Sequence, residues 1–329
     1  MSNSSAIIEK MLNTIATTKQ AANLWIPADH GAGWPTYYGQ STDPTYSMTC
    51  SWDIPGSVCS VESYPGHAPA GSLVQGNDPN NVNADRHLTF IDQLTNREYD
   101  LWGVSTSPLP SGGGTIKTTW SGYTMAMTGD GRAIGNGGGN AANVGNLAGR
   151  IRVEELNDAI ANHTYVNHAI SIAVDCTNNQ SVYPARTGNA GRACHALAGM
   201  TDTNAPPMGA RIFLNMTFAQ INALPVPEWK RVFLRTLSKY GAIINDTGSS
   251  FYFSWQTESG NQYTSMGVSD AWLAFATNMR AQQADWNVDG SGNYTGLWQN
   301  SNDGLDWTSA VWSHLQVLDP CISDGTCNP

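Results

Sequence analysis

Residues 85–104 read DRHLTFIDQLTNREYDLWGV, and the alternation within them decides the fold class. Apolar and β-branched residues alternate with polar ones on either side of Leu94-Thr-Asn-Arg, a turn-like tetrapeptide, so the stretch predicts a β-hairpin. A period of two puts His87, Thr89 and Ile91 on one face of the first strand and Leu88, Phe90 and Asp92 on the other. Across the turn, Asp100 shares a face with Trp102 and Val104. A carboxylate in mid-strand beside an indole is therefore the first chemical feature of the chain.

Working outward, His168 to Cys176 reads as a strand with His168, Ile170, Ile172, Val174 and Cys176 on one face, and Ala210 to Met216 as another. Ala242 to Asp246 leads into a further strand, Ser250 to Trp255, on its aromatic content. Pro227 opens a helix whose buried stripe is Trp229, Val232, Phe233, Thr236, Leu237 and Tyr240, and Gly241 closes it. Shorter helices are predicted from Val153 and from Ala271, and an amphipathic one over Ser4–Thr18 with Ile7, Ile8, Met11, Leu12 and Ile15 at helical spacing. The glycine-rich run GDGRAIGNGGGNAANVGNLAG (129–149) has neither GxGxxG inside a βαβ unit nor GK[ST], so it reads as a surface loop. The fold class expected is mainly β: one β-sandwich or jelly-roll-like domain over 1–329, with long loops and a few peripheral α-helices. Within it, 1–24 is an N-terminal helix extension, 25–83 a loop-rich segment, 84–256 the β core and 257–329 a loop-rich tail.

Six cysteines fall as three close pairs, Cys50 with Cys59, Cys176 with Cys194 and Cys321 with Cys327. An even count without CxxC spacing points to disulfides and a secreted, extracellular location, although six cysteines permit other connectivities. Only 13% of the 329 residues are charged, about half the usual fraction, while glycine reaches 33 and tryptophan 12. Sixteen basic against 26 acidic residues give a net charge of -10, which disfavours a nucleic-acid partner and leaves a neutral polysaccharide or oligosaccharide indifferent to the field. No apolar run reaches the length of a membrane span.

Glycosidic cleavage uses two carboxyl groups, one protonated and one ionised. Asp100, Glu155 and Asp246 are the catalytic candidates, with Asp85 and Glu154 behind them; Trp102 is the sugar platform, and His87 and His168 shape the cleft. His87 or His168 beside Tyr183 or Tyr99 would instead suit a polysaccharide lyase, with Arg86 or Arg211 neutralising a uronate carboxyl. Each of these side chains also has a structural reading, since buried polar groups generally satisfy one another. Asp285, Asn287 and Asp289 match the first half of a calcium loop, D-x-N-x-D-G, but Gly296 stands where the bidentate glutamate belongs. A structural calcium and an Asx-rich turn both remain open there, and no other cofactor is required.

The motifs DRHLTFIDQLTNREYDLWGV (85–104), GRIRVEELNDAI with NHAISIAV (149–174), VYPAR (182–186), PPMGARIFL (206–214) and KYGAIINDTG (239–248) occur in an order that resembles a group of secreted bacterial and fungal proteins without an assigned activity. The resemblance spans roughly residues 80–250 and implies an extracellular β-rich fold. The function expected is that of a secreted carbohydrate-active protein, with a glycoside hydrolase as the leading form. Its alternatives are a lyase and a non-enzymatic glycan-binding or self-associating subunit, for which the N-terminal helix would be a packing element.

Overall fold

The central hairpin forms with β5 (Leu88–Asp92) antiparallel to β6 (Arg97–Trp102), Thr89 facing Asp100 and Ile91 facing Glu98. The computed structural model describes residues 1–18, 24–27, 30–31, 33–52, 59–76, 84–134, 138–186, 191–247, 254–255, 257–296 and 310–326. Strand β2 (Thr36–Gly39) joins β5 in parallel and β8 (Trp120–Met125) joins β6 antiparallel, which completes a four-stranded sheet. The pleat gives this sheet two unlike faces. Tyr37, Leu88, Phe90, Tyr99, Leu101 and Tyr123 pack onto Tyr46, Met48 and Ile116 of a second sheet, made of β4 (Gly66–His67), β3 (Thr45–Cys50) and β7 (Gly114–Thr118). The opposite face carries Thr89, Glu98 and Asp100, and it too is buried.

A larger core lies around a five-stranded mixed sheet of β12 (Ser254–Trp255), β9 (Ile170–Val174), β11 (Ala242–Thr247), β10 (Arg211–Leu214) and β15 (Leu315–Val317). Of the expected strand 250–255, residues 250–253 lie outside the described residues. Helix α4 (Glu228–Lys239) contributes Trp229, Val232, Phe233 and Leu237 to this core. Glu228 in its first turn and Lys239 in its last complement the helix dipole, and Gly241 at φ 77° lets the chain turn directly into β11. Helices α2 (Val153–Ala161), α3 (Phe218–Asn222) and α6 (Ala271–Gln282) supply Leu156, Ile221, Trp272 and Phe275.

The chain ends are structural parts of this core. Helix α1 (Ser4–Thr18), expected as an extension, buries Ile7, Ile8 and Met11 in it, and Val317 donates its N–H to Ser4 Oγ at 2.7 Å. The expected loop-rich tail supplies α6, β15 and two strands, β13 (Trp286–Val288) and β14 (Tyr294–Gly296), that pair with β1 (Leu24–Ile26) in a fourth sheet. The protein is thus β-rich, and among the described residues its strands are spread over four small sheets, none of them closed.

Two of the expected disulfides are present, Cys50–Cys59 and Cys176–Cys194. Cys321 is also disulfide-bonded, while Cys327 lies outside the described residues. Cys176 and Cys194 are both fully buried and 18 residues apart, so the bridge closes a loop whose chain entropy is worth about 3 kcal/mol. The double substitution Cys176→Ser, Cys194→Ser is expected to lower the unfolding free energy by about that amount in a denaturant titration. A loss under about 1 kcal/mol would show that the bridge does little to constrain the unfolded chain.

Candidate active site

The polar face of the four-stranded sheet is covered by residues 138–150, the second half of the glycine-rich run. Expected as a surface loop, this half is mostly buried: Asn140, Ala142, Asn143, Val144, Asn146 and Arg150 are all nearly inaccessible. Glycine is needed where the loop meets the carboxylates. A Cβ on Gly139 would stand 2.8 Å from Asp100 Cβ, and one on Gly145 would stand 3.0 Å from Glu98 Oε2. The small side chains permit an approach that no larger residue could make.

That approach lets loop amides reach the acids. Leu147 N–H donates to Glu98 Oε1 at 2.7 Å and Asn146 N–H to Asp100 Oδ2 at 3.4 Å. Thr89 Oγ1 donates to Asp100 Oδ1 at 2.9 Å, Asn146 Nδ2 donates to Thr89 Oγ1 at 2.9 Å, and Asn140 Nδ2 braces Asn146 Oδ1 at 2.8 Å. On its other side the loop meets β11. Ala142 N–H donates to the Asn245 carbonyl at 2.9 Å, and Ala141 N–H to the Asp246 carboxyl, which also accepts from Thr247 N–H at 2.7 Å. The pairing of β11 with β9 shifts between Ile244 and Asp246, leaving Asn245 as the extra residue of a bulge. Bulges re-aim the side chains beside them, and here the residue beside it is Asp246.

Arg150 ends the loop and is 1% exposed. Its guanidinium lies 3.7 Å from the centroid of Trp34, whose other partner is the His87 ring, stacked at 3.6 Å. Burial lowers the pKa of Arg150 to about 9, and the acids around it that oppose this are Asp100, Glu258, Asp246 and Glu98. Burial, with Arg150 nearby, pushes the His87 imidazole well below its ordinary value, so His87 is neutral. Burial and the neighbouring Glu98 hold the Asp100 carboxyl well above the usual carboxylate range. Asp100 therefore carries the proton of this pair, and Glu98, itself raised by burial, accepts a hydrogen bond from it.

Two further carboxyls titrate near neutrality. Asp246 is pushed up to about 7 by burial, with Asp85 adding to the rise. By accessibility Asp246 is only half-buried and Asp85 is exposed, so these two form the solvent side of the cluster. Glu258 is raised to about 7 by burial and accepts from Gln262 Nε2 at 2.7 Å. A folded pKa above the ordinary 4.5 means that Glu258 contributes stability at low pH that is lost as pH rises from about 4.5 through 7. Glu258→Gln, which stays neutral, is accordingly expected to stabilise the protein at pH 8 by about 3 kcal/mol and to have no effect at pH 4. Melting curves at the two pH values check this, and an equal change at both would refute it.

The structure brings Asp100 and Asp246 to one cluster but places Glu155 in another. Although burial opposes it, hydrogen bonds from His168 and Arg152 hold the Glu155 carboxyl below its usual range. His168 Nε2 lies 3.1 Å from Glu155 Oε1, Arg152 N–H donates to the same oxygen at 2.8 Å, and Arg152 Nη2 reaches Oε2 at 2.8 Å. Trp102 packs against Trp52 at 5.7 Å, and Trp52 is 50% exposed. Arg86 Nε donates to the Val104 carbonyl and Arg211 Nε to the Tyr240 carbonyl. Tyr183 lies under Arg132, and Tyr99 belongs to the apolar face, its hydroxyl on the Pro65 carbonyl at 3.2 Å. Each of these arginines and tyrosines thus has a partner of its own.

The calcium-loop residues are likewise dispersed. Asp285 is buried with Lys230 Nζ at 3.0 Å and Trp229 Nε1 at 3.1 Å, whereas Asn287 is exposed. The Asp289 carboxylate closes its own turn, accepting from Ser291 N–H at 2.8 Å and Asn293 N–H at 3.0 Å. Among the described residues, the cluster of three His, Cys, Asp or Glu side chains close enough to share an ion is Cys50, Cys59 and Glu62, whose cysteines are bonded to each other.

Glu98, Arg150 and Glu258 belong to the site and were not anticipated. Glu98 was readable, because the alternation that assigns Asp100 to a face assigns Glu98 to the same one. Arg150 and Glu258 carry no local signal; tertiary pairing of Glu258 with Trp34 and Ile151 puts them there. Compared with protein-family models, with curated proteins and with solved structures, the chain matches none.

Proposed function

We propose that this is a secreted carbohydrate-active hydrolase cleaving a neutral polysaccharide or oligosaccharide, with Asp246 as the acid and Asp85 as the ionised partner. The observation that carries this reading is the half-buried Asp246 carboxyl, protonated up to about pH 7, beside an exposed second carboxyl. Glycoside hydrolysis needs two carboxyls whose surroundings separate their protonation in this way. Asp246 would protonate the glycosidic oxygen while Asp85, raised less by partial desolvation, acts on the anomeric carbon directly or through water. The disulfides suit an oxidising compartment, and the ordered motifs resemble secreted proteins. The facing four- and three-stranded sheets are the part of the chain that fits a sandwich-like domain. A metal has no place in this reading.

A second reading rests on Trp52. This half-exposed indole, supported by Trp102 and Trp120, suits stacking of a sugar ring without cleavage. A panel of neutral and acidic polysaccharides, assayed for new reducing ends and for ultraviolet absorbance, separates the readings. Reducing ends without absorbance support the hydrolase, and absorbance would indicate a lyase. Binding with neither leaves the glycan-binding subunit.

A further inference from the structure

We propose that Trp52 is a subsite for a sugar ring that is not itself cleaved, on the same chain whose scissile bond lies at Asp85, so that the protein selects long neutral glycans over short ones. The proposal rests on the hydrolase reading for the cleaved bond, and on ring and backbone geometry for the subsite. Trp52 lies just beyond β3, and it is 50% exposed. Its indole is held by two others, Trp102 at 5.7 Å between ring centroids and Trp120 at 6.3 Å, nearly edge-on at 73°. Trp102 and Trp120 face each other across β6 and β8, so this support is built on paired strands. Trp120 is buried and Trp102 partly buried, which leaves Trp52 as the accessible member of the three. The face of an indole is electron-rich and attracts the polarised C–H bonds of a pyranose, so a held, exposed indole takes a sugar ring without needing charge.

A ladder of backbone hydrogen bonds ties this indole to the proposed catalytic carboxyl. Trp52 N–H donates to the Thr119 carbonyl at 3.0 Å, Thr119 N–H to the Trp102 carbonyl at 2.9 Å, and Gly103 N–H to the Asp85 carbonyl at 3.1 Å. Three strand spacings of about 4.8 Å and one residue step of about 3.8 Å put the backbones of Trp52 and Asp85 within about 18 Å of each other. Gly103 is the corner of this path. It holds φ 64°, and a Cβ there would collide with the Thr119 hydroxyl, so the junction tolerates no side chain. Asp85 is exposed, as Trp52 is, and both reach solvent. A glycan stacked on Trp52 reaches Asp85 by a few further rings, whereas a single sugar occupies only one of the two positions. Binding of a remote ring supplies energy that orients and distorts the reacting one, so truncated substrates lose turnover as well as affinity.

The test begins with the unsubstituted full-length protein, in which Trp25, 42% exposed on β1, is an internal control for Trp52. Oxidation of exposed indoles by N-bromosuccinimide, mapped by peptide mass spectrometry, is repeated with soluble derivatives of cellulose, mannan, xylan and starch. At least one polymer, supplied at about ten times its Kd, is expected to slow oxidation of Trp52 about tenfold and to leave Trp25 unprotected. Equal protection of both indoles, or protection of neither by any polymer, overturns the proposal. Where a polymer is cleaved, the ratio of kcat/KM on that polymer to kcat/KM on its disaccharide is measured in two variants. Trp52→Ala is expected to lower this ratio about tenfold, the worth of one aromatic stack, and Trp25→Ala to leave it in place. An unchanged ratio in Trp52→Ala also overturns the proposal, and the oxidation experiment decides it should that variant not fold. Protection of Trp52 without cleavage of any polymer supports the sugar-binding site and removes the hydrolase reading. Cleavage with Trp52 unprotected keeps the hydrolase reading and removes the subsite.

Discussion

Arg150→Met is expected to destabilise the protein by about 3 to 5 kcal/mol, with a fall in melting temperature on the order of 10 °C. Methionine fills much of the guanidinium's volume, so the loss is electrostatic rather than a cavity effect. What remains is a set of four acids, Asp100, Glu98, Asp246 and Glu258, three of them almost wholly inaccessible, without their shared positive partner. Removing one member of a buried charged cluster costs more than the cluster contributes as a whole, because the orphaned charges stay desolvated. The loss should depend on pH. At pH 5 the raised carboxyls are protonated and the cluster needs less countercharge; at pH 8 Asp246 and Glu258 would be ionised, and the deficit grows. Thermal melts at pH 5 and pH 8 would show the larger drop at pH 8. A drop that is the same at both would mean that Arg150 acts chiefly through its packing on Trp34.

Asp246→Asn is expected to lower turnover by a factor on the order of 10²–10⁴, the usual worth of a positioned general acid. Asparagine keeps the shape and can still accept from Ala141 and Thr247 N–H, so the bulge in β11 should persist. The variant removes the acidic proton and the negative charge left when it departs. It also removes a group whose ionisation is penalised by folding, so its stability at pH 8 should equal or exceed that of the parent. Loss of turnover with an unchanged melting curve identifies a chemical role. A variant that cleaves glycans at the parent rate would leave Asp246 outside the chemistry.

Fold and site differ in how much of them the sequence encodes locally. The hairpin at 85–104 and the helix after Pro227 were legible because pleat and helical period write themselves into local alternation. The 138–149 half of the glycine-rich run was misread as surface because glycine carries no burial signal of its own; what requires glycine at 139 and 145 is the closeness of Asp100 and Glu98, which is a tertiary fact. Asp246 could be placed on a strand, but its raised pKa comes from burial and from Asp85, neither of which the local pattern shows. Glu155 looked equivalent to Asp100 as a carboxylate in an amphipathic segment, and its pairing with His168 and Arg152 lay outside any local pattern. The tail was read as loop because β13, β14 and β15 are three residues each, too short for alternation to register.

The bond between Val317 and Ser4 has a bearing on the order in which the molecule assembles. It closes the larger core across a separation of 313 residues, and β15, the strand beneath α1, pairs with β10. Contacts that distant in sequence form late, because loop-closure entropy must be overcome before they return any energy. The four- and three-stranded sheets, by contrast, draw on residues 36–125 alone and can form while the rest of the chain is still being made. Helix α1 packs on β15, so its apolar stripe lacks this partner until residue 317 has been made. Docking of β15 is therefore what completes the burial of Ile7, Ile8 and Met11.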